Sequence, residues 1–279
     1  MTFMATVADL NLISQVAPFQ QHRTVVALER RLRNCSNVIT LGVKPNFNDY
    51  STKETTLIRE SEKIYYPSSY YVEKFAAMGK DTFPRCLNYL FAQDKIKQTT
   101  LFQLLKIPHP YTRFFFGNRQ KSRILNYFSF PFIAKIPRGS ALGRGVYLIK
   151  TPSDLEHYCS LSHIAYVQEY LPIKNDIRVV VIGKDAVHAY IRIPIENEFR
   201  TNLAFGAKLS FDAIPRKAIE LARYTASNCG WDDVGIDICE YQNRFYVLEA
   251  NMKYGKQGFY QAGIDYFQLM ETLIDNGKI

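Results

Sequence analysis

The chain of 279 residues is 47% hydrophobic and 22% charged, the balance of an ordinary globular protein and not of a disordered or fibrous one, and it is long enough for two or three lobes. No apolar run reaches the roughly 18–20 residues of a membrane span, and Met1–Gln15 lacks the basic stretch and apolar core of a secretory leader. A net charge of +9 favours anionic partners, either nucleotide phosphates with an acidic substrate or nucleic acid, although no long basic run interleaved with aromatics is present; surplus lysines on a solvated surface are the plain alternative.

Residues 21–33 place Val25, Val26, Leu28 and Leu32 at helical spacing with arginines between them, and a short strand follows at Val38–Leu41. Thr52–Lys63 and Val72–Met78 read as helices with a strand, Ile64–Tyr66, between them. This alternation predicts a small α/β lobe ending near Gln93. Asp94–Lys106 reads as a helix closed by Ile107-Pro108-His109-Pro110. Phe130–Ile136 is an apolar strand, and Ser153-Asp154-Leu155-Glu156 has capping-box spacing for a short helix. Three β-rich runs follow, Ile164–Tyr170, Ile177–Ile182 and Ala186–Ile193. Pro215–Cys229 is a helix with proline at its start and Gly230 just past its end. Val234–Tyr241 and Phe245–Ala250 form a hairpin, and the chain from Gly263 onward is helical. The second part is therefore α+β, with antiparallel hairpins as its working surfaces.

The last hairpin carries the most chemistry. With Gln242-Asn243-Arg244 as a three-residue loop, Asp237 faces Glu249 and Ile238 faces Leu248. Strand side chains alternate, so Ile236, Ile238, Leu248 and Ala250 share a packing face, while Asp237, Glu249 and Asn251 share the other. Cross-strand carboxylates whose Cβ atoms are about 5 Å apart repel unless a cation or a proton lies between them. An all-oxygen set of this kind suits Mg²⁺; a solvated polar face of an edge hairpin is the plain alternative.

Lys135 lies inside its apolar strand, where an ammonium needs an anion. The loop Pro137–Val146 follows, with Ser140 and Gly143 among glycines and arginines whose backbone N–H groups can converge on phosphate. It is no Walker A loop, and a hairpin turn with solvent-facing arginines is its plain alternative. Lys95 and Lys97 begin the Asp94 helix, where lysines are ordinarily solvated. Gln168, Glu169 and Tyr170 end a strand at a bend and can border an adenine, with an ordinary strand end as the plain alternative. Across a Gly183-Lys184-Asp185 turn, Asp176, Arg178, Tyr190 and Arg192 share one face, either a salt-bridged surface or a polar site wall, and Arg200, Thr201 and Asn202 follow. Arginines stabilise charge on a transferring phosphoryl group. His188 has no partner at metal spacing and is structural. The five scattered cysteines form no C-x-x-C pair, which fits a reducing cytoplasm and indicates neither a zinc site nor a disulfide framework.

The order of these pieces resembles the ATP-grasp superfamily from Asp94 to Asp265, and within it the RimK-type ligases, which add glutamate to protein or cofactor carboxylates. The resemblance implies an ATP-grasp fold: a pre-ATP-grasp α/β lobe (1–93), a central α+β subdomain with a glycine-rich lid loop (94–169), and a C-terminal α+β subdomain with the metal site (170–279). It implies ATP with Mg²⁺, two ions, or Mn²⁺ in its place. Asp237, Glu249 and Asn251 would hold the metal, with Arg192 and Arg200 at the transferring phosphoryl group. ATP would be bound by Lys97 or Lys95, Lys135, Ser140, Gly143, Gln168, Glu169, Tyr170, Asp176, Thr201 and Asn202. The implied reaction joins a carboxylate, on an acidic peptide, protein or cofactor, to an amine such as an amino acid through an acyl-phosphate. No membrane or nucleic-acid partner is implied, and a homo-oligomer is allowed. The chain departs from the family at Met252-Lys253-Tyr254-Gly255, where Ser-Pro-Gly is usual, and at Ala204–Ala207, where a basic double-glycine stretch is usual. A nucleotide-binding protein without ligase activity is the competing reading, and a nucleic-acid-binding protein a third.

Overall fold

The computed structural model describes residues 4–5, 25–139, 144–196 and 198–279. Four short strands, β1 (Val25–Ala27), β2 (Val38–Thr40), β3 (Lys63–Tyr65) and β4 (Asp81–Phe83), form a parallel sheet in the order β2-β1-β3-β4. β1 stands where helical spacing pointed to a helix. Val26, Ala27 and Leu28 are all buried, and a strand covered on both faces has consecutive apolar residues that a short window cannot tell from a helix. Only Arg30–Leu32 makes a helical turn, of the 3₁₀ type, and residues 21–24 lie outside the described residues. Helix α1 (Thr52–Glu60) opens on a reciprocal cap between Ser51 and Glu54, and α2 (Ser68–Ala77) packs Tyr71 and Phe75 into the core beside it. Helices α3 (Cys86–Phe91) and α4 (Lys95–Leu104) lead out of this part.

The second sheet is antiparallel, in the order β5-β8-β6-β7, from β5 (Thr112–Phe116), β6 (Phe132–Lys135), β7 (Val146–Ile149) and β8 (Ile164–Glu169). β5, an edge strand ending in three phenylalanines, had no counterpart among the sequence expectations. Helix α5 (Gly117–Lys121) follows it, and α6 (Pro152–Leu161) joins β7 to β8. The capping box of α6 is Thr151 with Asp154, not Ser153 with Glu156. Pro152 sits in the first turn, where its missing N–H costs nothing, so the cap falls just before it.

The third sheet, also antiparallel, runs β11-β10-β9-β12-β13, from β9 (Asp176–Ile182), β10 (Asp185–Ile193), β11 (Lys208–Ser210), β12 (Asp233–Tyr241) and β13 (Arg244–Asn251). Helix α7 (Arg216–Cys229) lays Ala218, Ala222, Ala226 and Cys229 on one face of it, against Val179, Val181, Val234 and Ile236. Gly230, at φ +70°, ends α7 in the left-handed conformation. Helices α8 (Gln257–Gln261) and α9 (Tyr266–Asp275) close a core shared with the first sheet, in which Tyr65 and Phe83 meet Val180, Ile182, Phe259 and Met270. Arg31 is half-buried in that junction: its guanidinium lies 4.5 Å from the Tyr254 ring centre and 5.2 Å from that of Tyr266, and Asp233 is 3.9 Å away.

Both hairpins of the third sheet turn on two residues, and both contain a bulge. Gln242 and Asn243 have positive φ (50° and 60°), the type I′ turn whose twist suits a hairpin. That turn pairs Ile238 with Val247, not with Leu248. An extra residue, Leu248, then restores Asp237 opposite Glu249. Leu248 accordingly leaves the packing face, and the buried residue there is Val247. In the other hairpin Asp185 already pairs with Ile182, and a bulge at Val187 brings Asp176 opposite Arg192.

Candidate active site

The second and third sheets face each other across a cleft enclosing about 720 Å³, its open mouth included, which is the size class of small-molecule sites. On the second-sheet wall, Lys135 ends β6 with only 7% of its surface exposed. Its ammonium lies 5.6 Å from the centre of the Tyr166 ring. Burial pulls its pKa down to about 8, a shift that Glu249 opposes and Lys95 reinforces. Gln168, buried, donates to Thr112 Oγ1 at 2.9 Å. The Glu169 carboxylate accepts from the Tyr111 N–H at 2.6 Å, so it fastens the start of β5 to the end of β8. Tyr170 follows on the cleft wall, where Ile133, Val146, Leu171, Ile173 and Leu248 make an apolar slot.

The opposite wall is ionic. Arg192 grips Asp176 through two hydrogen bonds, of 2.7 and 2.6 Å, and its Nη2 also reaches Asp237 at 2.9 Å. Arg178 holds Asp237 through both its Nε and its Nη2, the latter at 3.0 Å. Thr201 donates to Asp176, and the Asn251 amide donates to Asp237 at 3.0 Å. Two carboxylates and two guanidiniums thus form a buried quartet with no net charge. Burial raises the pKa of both acids, but the outcomes differ. Asp176 stays above the usual range, whereas Arg178 and Arg192 outweigh burial at Asp237 and hold it below.

Arg200 and Asn202 also line the cleft. Arg200 is tied to Glu198 by bonds of 2.9 and 2.6 Å, with its guanidinium 3.4 Å from the centre of the Phe205 ring. Glu249 pairs with Lys95 at 3.1 Å. Lys97, expected at the phosphates, is not brought to the cleft: it is exposed and donates to the Leu90 carbonyl at 3.1 Å. The cause is helical phase. Asp94 caps α4 and the buried stripe runs through Lys95, Gln98, Thr99 and Phe102, which turns position 97 outward. Ser140 and Gly143 lie outside the described residues.

Strand alternation puts Arg178 on one face with Asp176, Tyr190 and Arg192, and the structure adds the role the sequence did not assign it, holding Asp237; the apolar slot of Ile133, Val146, Leu171 and Ile173 was not singled out from the sequence. Leu248 was not legible, because only the bulge turns it to the cleft. The edge strand β13 that carries Glu249 is held from outside by Gln98, which donates to the Ala250 carbonyl at 2.9 Å and accepts from its N–H at 3.1 Å.

Among the described residues no group of three or more histidine, cysteine, aspartate or glutamate side chains converges as a ready metal cage. Asp237 and Glu249 are cross-strand partners that both line the cleft, and Asn251, two residues after Glu249, touches Asp237 through its amide; oxygen donors of this kind fit Mg²⁺ completed by phosphate and water. The Asp237 carboxylate is shared with two arginines, so Glu249 and the Asn251 carbonyl are the less committed donors.

The family model described as a RimK-like ATP-grasp domain matches residues 92–274. A probable alpha-L-glutamate ligase of Saccharophagus degradans is 30% identical over 222 residues, 75% of this chain and 71% of that one. A glutamate–LysW ligase, ArgX, of Sulfolobus acidocaldarius is 36% identical over 161 residues, 54% of this chain and 57% of that one. The solved RimK domain ATP-grasp protein of Sphaerobacter thermophilus matches with a TM-score of 0.62 at 16% identity, over 91% of this chain and 98% of that one.

Proposed function

The chain belongs to the RimK-like ATP-grasp family, and from that premise we propose that it is an ATP-dependent ligase joining a carboxylate to an amine through an acyl-phosphate. ATP-grasp ligase chemistry is the family's; the residue roles are our reading of the cleft. The observation that carries it is Lys135, a buried ammonium facing Glu249 and the Asp176–Arg178–Arg192–Asp237 quartet across a nucleotide-sized gap.

In this reading residues 1–93 are the pre-ATP-grasp lobe, 94–169 the lid-bearing subdomain and 170–279 the subdomain with the metal site. Adenine lies in the slot of Ile133, Val146, Leu171, Ile173 and Leu248, beside Gln168, Glu169 and Tyr170. Lys135 and Lys95 draw the phosphates inward. Asp176 holds Arg192 toward the γ-phosphate, and Arg200, Thr201 and Asn202 border the acceptor side. The substrate carboxylate attacks the γ-phosphorus and ADP leaves. The amine then attacks the acyl carbon, phosphate departs, and the amine loses its proton. Mg²⁺ held by Glu249 and Asn251, with Asp237, would neutralise the phosphates and keep them in line. A closed lid loop would keep water from the acyl-phosphate.

The test is ADP release in the presence of Mg²⁺ over paired carboxylates and amines, starting with L-glutamate and acidic peptides. Release that needs both partners supports a ligase; absence of nucleotide binding ends the reading. The Met252–Gly255 segment, unlike the family's, favours one alternative, a protein that binds nucleotide without ligation. Tight ADP binding with no carboxylate-dependent turnover would establish it.

A further inference from the structure

Glu249 sits beside the weakest point of its strand. Leu248, just before it, is the extra residue of the β13 bulge, and β13 ends its sheet. Register slips most easily at bulges and sheet edges, and a slip of one residue turns every side chain beyond it to the other face. Glu249 and Asn251 would then leave the cleft side, where Glu249 is opposite Asp237 and Asn251 touches it.

Two groups from outside the sheet stand in for a further strand. The Val247 N–H donates to the Pro108 carbonyl at 2.8 Å. The Gln98 carboxamide accepts from the Ala250 N–H at 3.1 Å and donates to the Ala250 carbonyl at 2.9 Å. Its nitrogen also donates to the Phe91 carbonyl, at 2.9 Å. A carboxamide is chemically a peptide unit, so this two-bond ring is the contact that an adjoining antiparallel strand would make. In an unbroken strand the outward-facing backbone groups recur at every second residue. Here they are at Val247 and Ala250, three apart, the offset that one inserted residue produces. Both outside contacts therefore form only with Leu248 bulged between them.

Gln98 is itself fixed from two sides. Phe102, one turn on in α4, packs with its ring centre 5.9 Å from that of Trp231, in the core shared by α7 and the third sheet. Lys95, one turn before, pairs with Glu249 at 3.1 Å. Gln98 is buried, and an apolar residue would fill the same stripe without desolvating an amide, so its hydrogen bonds are what the position requires.

We propose that Gln98 is a positioning residue of the metal site: with the Pro108 carbonyl it locks the β13 bulge and so keeps Glu249 and Asn251 on the cleft side. In so far as those side chains hold Mg²⁺, the proposal rests on the ligase reading. Gln98 does not line the cleft; it acts through Ala250, the residue between the two donors. Loss of such an outer partner costs about tenfold or more in metal affinity.

The test uses the full chain with ADP, and Mn²⁺ as a spectroscopic probe of the Mg²⁺ site. Gln98→Met keeps the side chain's length and removes its carboxamide. The Mn²⁺ affinity of the ADP complex, read by electron paramagnetic resonance, should fall about tenfold or more, while ADP affinity measured in EDTA stays within about twofold. Phe102→Leu loosens the same helix and leaves the clamp, so its Mn²⁺ affinity should match the wild type. Amide exchange over residues 245–252 should quicken in Gln98→Met relative to the rest of the third sheet, and not in Phe102→Leu. In the wild type, the Ala250 amide should exchange as slowly as those of the inner strands, a measurement that needs no variant. Unchanged Mn²⁺ affinity in Gln98→Met, an equal loss in Phe102→Leu, or rapid exchange at Ala250 in the wild type would each overturn the proposal. Absence of Mn²⁺ binding by the wild type would instead sink the metal reading, while amide exchange still decides the clamp.

Discussion

Arg192 and Asp237 lie 2.9 Å apart although β9 runs between their strands. Arg192 reaches across the intervening strand with Asp176 of β9 holding its guanidinium, while Arg178, on the same face of β9, holds Asp237. Asp237 is therefore an anchor for cations already present in the chain as well as a prospective donor to an added one.

Asp237 and Glu249 should separate under mutation. Asp237→Ala leaves two buried guanidiniums sharing one carboxylate, and removing one partner of such a set costs about 3–5 kcal/mol. Urea denaturation should show that loss together with the loss of ADP release. Glu249→Gln, at a half-buried site, should abolish turnover with stability changed by less than about 1 kcal/mol. Equal stability of the two variants would contradict the quartet.

Lys135 ties nucleotide affinity and stability to pH in opposite senses. Its folded pKa, about 8, lies below the value of 10.5 for a free lysine, so below pH 8 the folded state carries a buried charge that opposes folding. Between about 8 and 10.5 the unfolded chain binds more protons than the folded one, and stability of the nucleotide-free protein rises with pH. Lys135→Met should melt higher than wild type at pH 7, with the gap closing by pH 10.5. Wild-type affinity for ADP should fall as pH rises past 8, and the variant's should be flat. A pH-independent wild-type affinity would remove Lys135 from the phosphates.

The two lysines of α4 give a sharp contrast. Lys95→Met should raise the KM for ATP about tenfold, roughly the 1.4 kcal/mol of one charge-assisted contact. Lys97→Ala should change it by less than about twofold, because among the described residues its amine meets the Leu90 carbonyl, outside the cleft. Steady-state kinetics on the two variants decide the matter, and the reverse order would mean that α4 turns when nucleotide binds.

Arg31 fastens the first sheet to the third. Arg31→Met leaves Asp233 buried without its cation, among the hydroxyls of Tyr66 and Tyr254. We expect a loss of about 3 kcal/mol in urea denaturation, with ADP affinity unchanged in the protein that remains folded. An unchanged denaturation midpoint would make the tyrosine cage sufficient by itself.

Much of this site can be read from the chain. Lys135 within Phe132-Ile133-Ala134, the acidic pair on the last hairpin and the two-residue spacing of Asp176 and Arg178 are local patterns, and a strand's alternation converts them directly into faces. Val25–Ala27 shows the limit, since three apolar residues in a row fit a helix or a doubly covered strand equally well. Position 97 shows another: a lysine's direction on a helix depends on which stripe the core takes, and that is settled by Gln98 and Thr99 meeting Ala250 and Tyr166 from other parts of the chain.

The sequence by itself determined the order of the motifs, their hairpins and the charges they carry, because backbone preference and side-chain alternation act over a few residues. Tertiary structure decided who touches whom. Bulges at Val187 and Leu248 set the cross-strand register, and only packing across strands puts Arg178 and Arg192 on the same carboxylate. Register is a sum over both strands and their turn, so a single extra residue moves every partner beyond it.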